Sequence, residues 1–281
     1  MPRNLQTLPK LKDSLSFIYI DKAIIEQDAM SIVALQGESR ISIPIATMTV
    51  LMLGPGVSIT HAAIKTISDC GCAVVWCGEQ AARFYAFGNG ETRSAENLLH
   101  QAKLCMDNEL HMQVVYRMYE RRFPDMGTTN MTLQQVRGLE GIRVREAYKH
   151  AAKITGVKWS GRNYNKDNWC DSDPINQAIS YANSILYAVC QSAILSLGYS
   201  TGLGFVHTGK LLSFVYDIAD LYKATTTIPA AFEAIAETGN FQDLQQRVRL
   251  KCRKYMHSEK LLSRIPQDID YVLDVKCKTV K

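Results

Sequence analysis

The stretch with the densest chemistry begins at Gly204-Phe-Val-His-Thr-Gly-Lys and runs into Ser213-Phe-Val-Tyr-Asp-Ile-Ala-Asp. It sets His207 ahead of Asp217 and Asp220 and flanks them with Lys210 and Lys223. On a helix, positions 217 and 220 share a face. Like charges at that spacing repel unless a cation lies between or beside them. Oxygen donors with one imidazole suit Mg2+ or Mn2+ better than a structural zinc. By spacing alone, the same residues also fit a polar helix face preceded by a loop histidine.

A second unusual stretch is Val136-Arg-Gly-Leu-Glu-Gly-Ile-Arg-Val-Arg, where Glu140 lies between Gly138 and Gly141. Each glycine inside a helix costs about 1 kcal/mol relative to alanine. Keeping two beside a carboxylate predicts a close approach there, by another helix or by a ligand. The plainer alternative is helix packing around small residues with a surface glutamate. A hard cation among lysines and arginines is what phosphoryl transfer on DNA requires: it polarises the phosphate while basic groups hold its neighbours. Tyr164, Trp169 and Tyr187 offer faces for an unpaired base, or simply fill a core.

These residues need a scaffold, and the 281-residue chain is long enough for one large domain or two modest ones. At 47% hydrophobic and 21% charged it has ordinary globular composition. No apolar run reaches the roughly 20 residues of a membrane span, and the first residues do not read as a secretory signal. The expectation is a cytoplasmic protein with no membrane partner, its eight cysteines reduced. Cys70, Cys72 and Cys77 fit no common zinc module and read as buried strand cysteines. The net charge of +5 is uneven: residues 247–281 carry +6 and the rest −1. Concentrated positive charge suits a polyanion such as nucleic acid, and equally a solvated basic helix face.

The first 90 or so residues read as short strands at 16–20, 31–35, 40–45, 49–53, 72–76 and 83–87, with helical spacing over 58–68. After Ser94 the pattern turns helical. One long helix is expected over 95–122, and a capping box at Thr132 and Gln135 opens the next. Further helices are expected over 175–197, 210–223, 228–238 and 241–257. The fold class predicted is α+β: a small N-terminal β-rich domain (1–90) followed by a larger all-α C-terminal domain (91–281). No GxGxxG follows a strand and no P-loop is present, which argues against a nucleotide-dependent metabolic enzyme.

In this order, Arg137-Gly-Leu-Glu-Gly, Gly204-Phe-Val-His-Thr-Gly-Lys and Ser213-Phe-Val-Tyr-Asp-Ile-Ala-Asp resemble the signature of the CRISPR-associated spacer-acquisition integrases, the first of the Cas proteins. Leu51-Met-Leu-Gly-Pro-Gly, Ser58-Ile-Thr-His-Ala-Ala, Trp159-Ser-Gly-Arg-Asn-Tyr and Arg247-Val-Arg-Leu-Lys-Cys-Arg resemble subtype I-E. The likeness runs from about Leu11 to about Asp274. Ser58 departs from it, standing where relatives can carry a basic residue.

The resemblance implies a β-sandwich-like N-terminal domain that dimerises and meets DNA, followed by a helical catalytic domain. It implies a metal-dependent DNA endonuclease and integrase that joins the 3′-hydroxyls of a captured double-stranded fragment to a CRISPR repeat. Homodimers would flank a dimer of the second Cas protein in a hetero-hexameric complex. The implied metal ligands are Glu140, His207 and Asp220, for Mg2+ or Mn2+, with Asp217 a further acidic position needed for activity. Implied DNA contacts are Arg83, Tyr164, Tyr187, Lys210, Lys223, Arg247 and Arg249. Two rivals use the same residues differently: a stand-alone metal-dependent nuclease of branched DNA, and a non-catalytic DNA-binding scaffold.

Overall fold

Val50–Leu53 is apolar at every position, and its alternate side chains join two different cores. The computed structural model describes residues 17–48, 50–79, 84–88, 95–124, 131–162, 173–237 and 243–275. Its strands are β1 (Phe17–Ile20), β2 (Ile24–Asp28), β3 (Ser31–Gln36), β4 (Ser39–Ile43), β5 (Val50–Leu53), β6 (Ser58–Ile59), β7 (Ala73–Cys77) and β8 (Phe84–Gly88), with helix α1 (His61–Asp69) before β7. One sheet has the order β1-β5-β7-β8, the first three parallel and β8 antiparallel at the edge. The other is the antiparallel run β2-β3-β4 with β6 added parallel to β2.

A strand covered on both faces reads as a continuous apolar run, and β5 is one. Leu51 and Leu53 pack with Ile25, Ile32 and Ile67 of the second sheet and α1. Val50 and Met52 pack instead with Val114 and Phe214 of the helical region. The β-rich and helical regions therefore share a core through this sheet.

The helices that follow are α2 (Glu96–Met106), α3 (Asn108–Arg122), α4 (Leu133–Thr155), α5 (Pro174–Ser196), α6 (Ser213–Asp220), α7 (Thr227–Ala236), α8 (Leu244–Ser258) and α9 (Leu261–Val272). An N-terminal β region followed by a helical one is the α+β arrangement predicted. Helix α5 runs through the middle, with Leu186 and Ile194 in one core and Ile175 and Ile179 in another. Among the described residues it is the one helix long and apolar enough to cross a membrane by length and composition, and most of that stretch is buried by its neighbours.

Several sequence expectations need correction. The helix expected over 95–122 is two, because Asp107 takes an extended conformation and its carboxylate accepts from the amides of Glu109 and Leu110 at 2.9 and 3.0 Å, starting a new helix. Ser58 and Ile59 pair with β2 instead of opening α1, which starts after Thr60, its hydroxyl capping the Ala63 amide. Strand β2 and helix α9 were not anticipated; α9 contains Pro266, yet Leu261, Ile265, Ile269 and Val272 bury one face. Among the described residues, no other helix makes the close approach expected at the α4 glycines. A Cβ at Gly138 would meet nothing within 4 Å, and one at Gly141 only the tip of Arg145. The capping box of Thr132 and Gln135 is present, and Cys70, Cys72 and Cys77 are buried.

Candidate active site

The chain from Tyr199 to Leu212 carries no regular structure, and its path is fixed by side chains reaching in from α2 and α3. Gln101 donates to the carbonyls of Ser200 and Leu203 at 3.0 and 2.9 Å and accepts from the Ser200 amide. The imidazole of His111 donates through Nε2 to the Phe205 carbonyl at 2.9 Å. Gly204 is packed so tightly that an added Cβ would collide with the His207 carbonyl and lie 2.6 Å from Ser213 Cβ. The glycine therefore brings the turn hard against the start of α6.

Asp217 closes that turn from the α6 side. Its carboxylate is fully buried and accepts three consecutive amides: Phe205 and Val206 on Oδ2 at 2.6 and 3.2 Å, and His207 on Oδ1 at 2.8 Å. The same Oδ1 accepts from His207 Nδ1 at 2.8 Å. A carboxylate can only accept, so Nδ1 carries a proton, and in the neutral imidazole Nε2 keeps its lone pair. This hydrogen bond raises the His207 pKa against the opposing effect of burial, with Asp220 adding to the rise. Asp217 is thus a positioning group for the histidine.

Asp220, one turn on, points elsewhere. Its Oδ1 is buried, 2.6 Å from Lys223 Nζ, and has no well-angled hydrogen bond. Oδ2 lies 3.7 Å from Nη1 of Arg122. That same nitrogen contacts Oε1 of Glu140, whose Oε2 accepts from Tyr119 at 3.0 Å. Thus α4 and α6 present Glu140 and Asp220 to one guanidinium at the end of α3. The repulsion expected between Asp217 and Asp220 is avoided by opposite orientations: one faces the amides, the other two cations. Burial opposes the charge on Lys223, yet Asp220 and Tyr187 outweigh it and raise its pKa.

Asp217, Asp220 and His207 line a cleft of about 10 Å³ with Arg122 and Tyr119. That holds about one water. Among the described residues, no three acid, histidine or cysteine side chains are placed to hold an ion together. The donor chemistry nevertheless suits a hard divalent cation: the Glu140 and Asp220 carboxylates, now held by cations, and an imidazole whose Nδ1 is committed to Asp217. The space between the carboxylates is taken by Arg122.

Among the basic and aromatic residues expected at DNA, Lys210 is exposed on the His207 turn. Lys223 turns inward, with its ammonium 5.0 Å from the centre of the Tyr187 ring. Tyr187 stacks edge-on to Tyr216, and Tyr216 to His207. Arg247 donates to the Ala234 carbonyl of α7 at 3.1 Å. Arg249, two residues along α8, lies about 200° around that helix, and both arginines are half-buried beside the buried Val248. Arg83, Tyr164 and Trp169 lie outside the described residues. Arg122 and Tyr119 were missed from sequence. The available signal was that two carboxylates brought together require a counter-ion, and a basic pair closes α3 nearby in the chain.

The family model for the CRISPR associated protein Cas1 matches residues 121–254, the segment that carries Arg122, Glu140, His207, Asp217, Asp220 and Lys223. Over 95% of this chain and 82% of the relative, the sequence is 48% identical to the CRISPR-associated endonuclease Cas1 2 of Thermus thermophilus. It is 41% identical to the CRISPR-associated endonuclease Cas1 of Escherichia coli, over 94% of this chain and 86% of that one. Among solved structures, the crystal structure of a TtCas1–DNA complex is similar with a TM-score of 0.84 and 47% identity, covering 96% of this chain and all of that one.

Proposed function

The chain belongs to the Cas1 family of CRISPR-associated endonucleases, and from that premise we propose that it is a DNA integrase working with Mg2+ or Mn2+. It joins the 3′-hydroxyls of a captured double-stranded DNA fragment to the strands of a CRISPR repeat. Each joining breaks one phosphodiester bond and makes one. The attacking 3′-hydroxyl gives up its proton and the departing 3′-oxygen gains one. No covalent link to the protein is needed.

The observation carrying this reading is that Glu140 and Asp220 meet at one guanidinium nitrogen while His207, beside them, has its Nδ1 committed to Asp217. Glu140, Asp220 and His207 Nε2 would hold the ion. When bound, it neutralises charge developing on the attacked phosphate. The residues of the chain do the rest. Asp217 fixes the tautomer that keeps Nε2 available. Tyr119 orients Glu140, and Lys223 holds Asp220. Lys210, exposed on the same turn, is set to meet a flanking phosphate.

The DNA partner is supported by the similar TtCas1–DNA complex. A homodimer joined through the β-rich region up to about residue 90, a central dimer of the second Cas protein, and subtype I-E are parts of the same proposal, drawn from the motifs quoted above.

Transfer of label tests it. A duplex fragment labelled near its 3′-hydroxyl is incubated with a supercoiled plasmid bearing a repeat, the second Cas protein and Mg2+ or Mn2+. Label should move covalently onto the plasmid with the wild type and not with Asp220→Ala. Cut ends without joining would establish the stand-alone nuclease instead, and binding with neither would leave a scaffold.

A further inference from the structure

Arg122 sits at the last position of α3, with its side chain only 13% exposed. Its Nη1 contacts Glu140 from α4 and lies 3.7 Å from Asp220 of α6. Two carboxylates from separate helices thus converge on one nitrogen, at the position where oxygen ligands would otherwise face a cation. The remaining oxygens are held independently. Tyr119, one turn earlier on α3, donates to Glu140 Oε2 at 3.0 Å, and Lys223 lies 2.6 Å from Asp220 Oδ1. If Arg122 withdrew, both carboxylates would keep a partner and stay in place.

The cleft beside Arg122 has space for about one water. A divalent ion that carries its own waters cannot enter next to the guanidinium. Charge points the same way. Asp217 is already saturated by three amides and the imidazole. Arg122 and Lys223 therefore already balance Glu140 and Asp220. A further double positive charge in the same low-dielectric space is unfavourable until one of the two cations leaves. Lys223 lies over the Tyr187 ring as well as against Asp220, whereas Arg122 lies on the side of the cleft shared with His207.

We propose that Arg122 is the resident counter-ion of this site: it holds Glu140 and Asp220 together in the ion-free chain, and it is the group a divalent ion must displace. The proposal rests on the metal reading given above. It means that affinity for the ion is set by competition with an internal cation as well as by the ligands. A planar guanidinium reaches two carboxylates at once; the compact ammonium of lysine does not.

The test is a titration of the full chain with Mn2+, counting the free ion by electron paramagnetic resonance in the absence of DNA. Wild type, Arg122→Lys and Arg122→Gln are compared, with Asp220→Asn identifying which bound ion belongs to this site. Arg122→Gln should bind at least about tenfold more tightly than the wild type, the size of an ordinary coupling between two bound charges. Arg122→Lys should fall between them, and if the glutamine variant fails to fold the lysine variant decides alone. Wild-type-like or weaker binding in the variants, with wild-type binding lost in Asp220→Asn, would overturn the counter-ion proposal and leave the metal reading intact. No ion sensitive to Asp220→Asn in the wild type would overturn both.

Discussion

Replacing Asp217 by asparagine changes one atom in a fully buried carboxylate and should disturb both folding and ion binding. In the wild type, Oδ2 accepts from the amides of Phe205 and Val206, and Oδ1 accepts from the His207 amide and from Nδ1. An asparagine must put its NH2 on one of these sides. Facing Phe205 and Val206 it would strand two amides, so it turns toward His207 and strands one. A buried donor left without an acceptor costs about 1–3 kcal/mol. The two surviving bonds lose their charge assistance, falling from about 1.5–3 to about 0.5–1.5 kcal/mol each. Together these give a loss of about 3–5 kcal/mol, a large share of the 5–15 kcal/mol typical of a folded domain. The new NH2 also donates to Nδ1, which forces the imidazole proton onto Nε2 and removes the lone pair an ion would use. Mn2+ affinity should drop about 10–100-fold, as when an outer partner of a ligating histidine is lost. Urea unfolding followed by circular dichroism reads the first effect and a Mn2+ titration the second. A stability change under about 1 kcal/mol together with unchanged Mn2+ affinity would refute the reasoning.

The remaining predictions address the same frame from other sides. Gly204→Ala has no space for its methyl group between Ser213 and the His207 carbonyl, so the turn must shift; a loss of about 1–3 kcal/mol is expected by urea unfolding, as for other overpacked sites, and an unchanged midpoint would count against the packing described. Asp268, fully buried, accepts from Arg121 and from the Tyr222 hydroxyl at 2.5 and 2.6 Å and so ties α9 to α3 and to the turn that follows α6; Asp268→Ala strands the buried Tyr222 hydroxyl, should lose about 1–3 kcal/mol, and an unchanged urea midpoint would contradict this. His207 has a raised pKa in the folded chain, through its bond to Asp217 against the opposing burial. Its contribution to the ion-free fold is therefore full below the unfolded histidine value of about 6.5 and is lost as pH rises through the folded value. Urea midpoints of the wild type and His207→Ala should diverge in mildly acid buffer and draw together in alkaline buffer, and a constant gap would refute the assignment.

What sequence reasoning captured follows from how local each signal is. Strands such as β3 and β5 and the capped start of α4 declare themselves through periodicity and cap chemistry within a few residues. Asp107 went unread because a capping aspartate inside an apolar pattern looks like any polar helix position until its backbone is seen. Helix α9 was masked by Pro266, whose local cost is outweighed by a buried apolar face that only tertiary packing creates. At the candidate site, the spacing of His207, Asp217 and Asp220 marked residues that line one cleft, but spacing cannot tell which carboxylate turns inward to the amides. Arg122 and Tyr119 lie 18 and 21 residues from Glu140 in sequence, and no local pattern links them to it. Among the described residues no close neighbour stands at Gly138, so helix packing does not explain that glycine of α4.

The most direct test of the account is where a divalent ion binds. Anomalous diffraction from crystals of the full chain soaked in Mn2+ locates it without any assumption about activity. The account predicts one peak per chain within coordination distance of Glu140, Asp220 and the Nε2 of His207, with Nδ1 still on Asp217. A peak elsewhere, or no peak at saturating Mn2+, would contradict the metal centre and the integrase chemistry built on it.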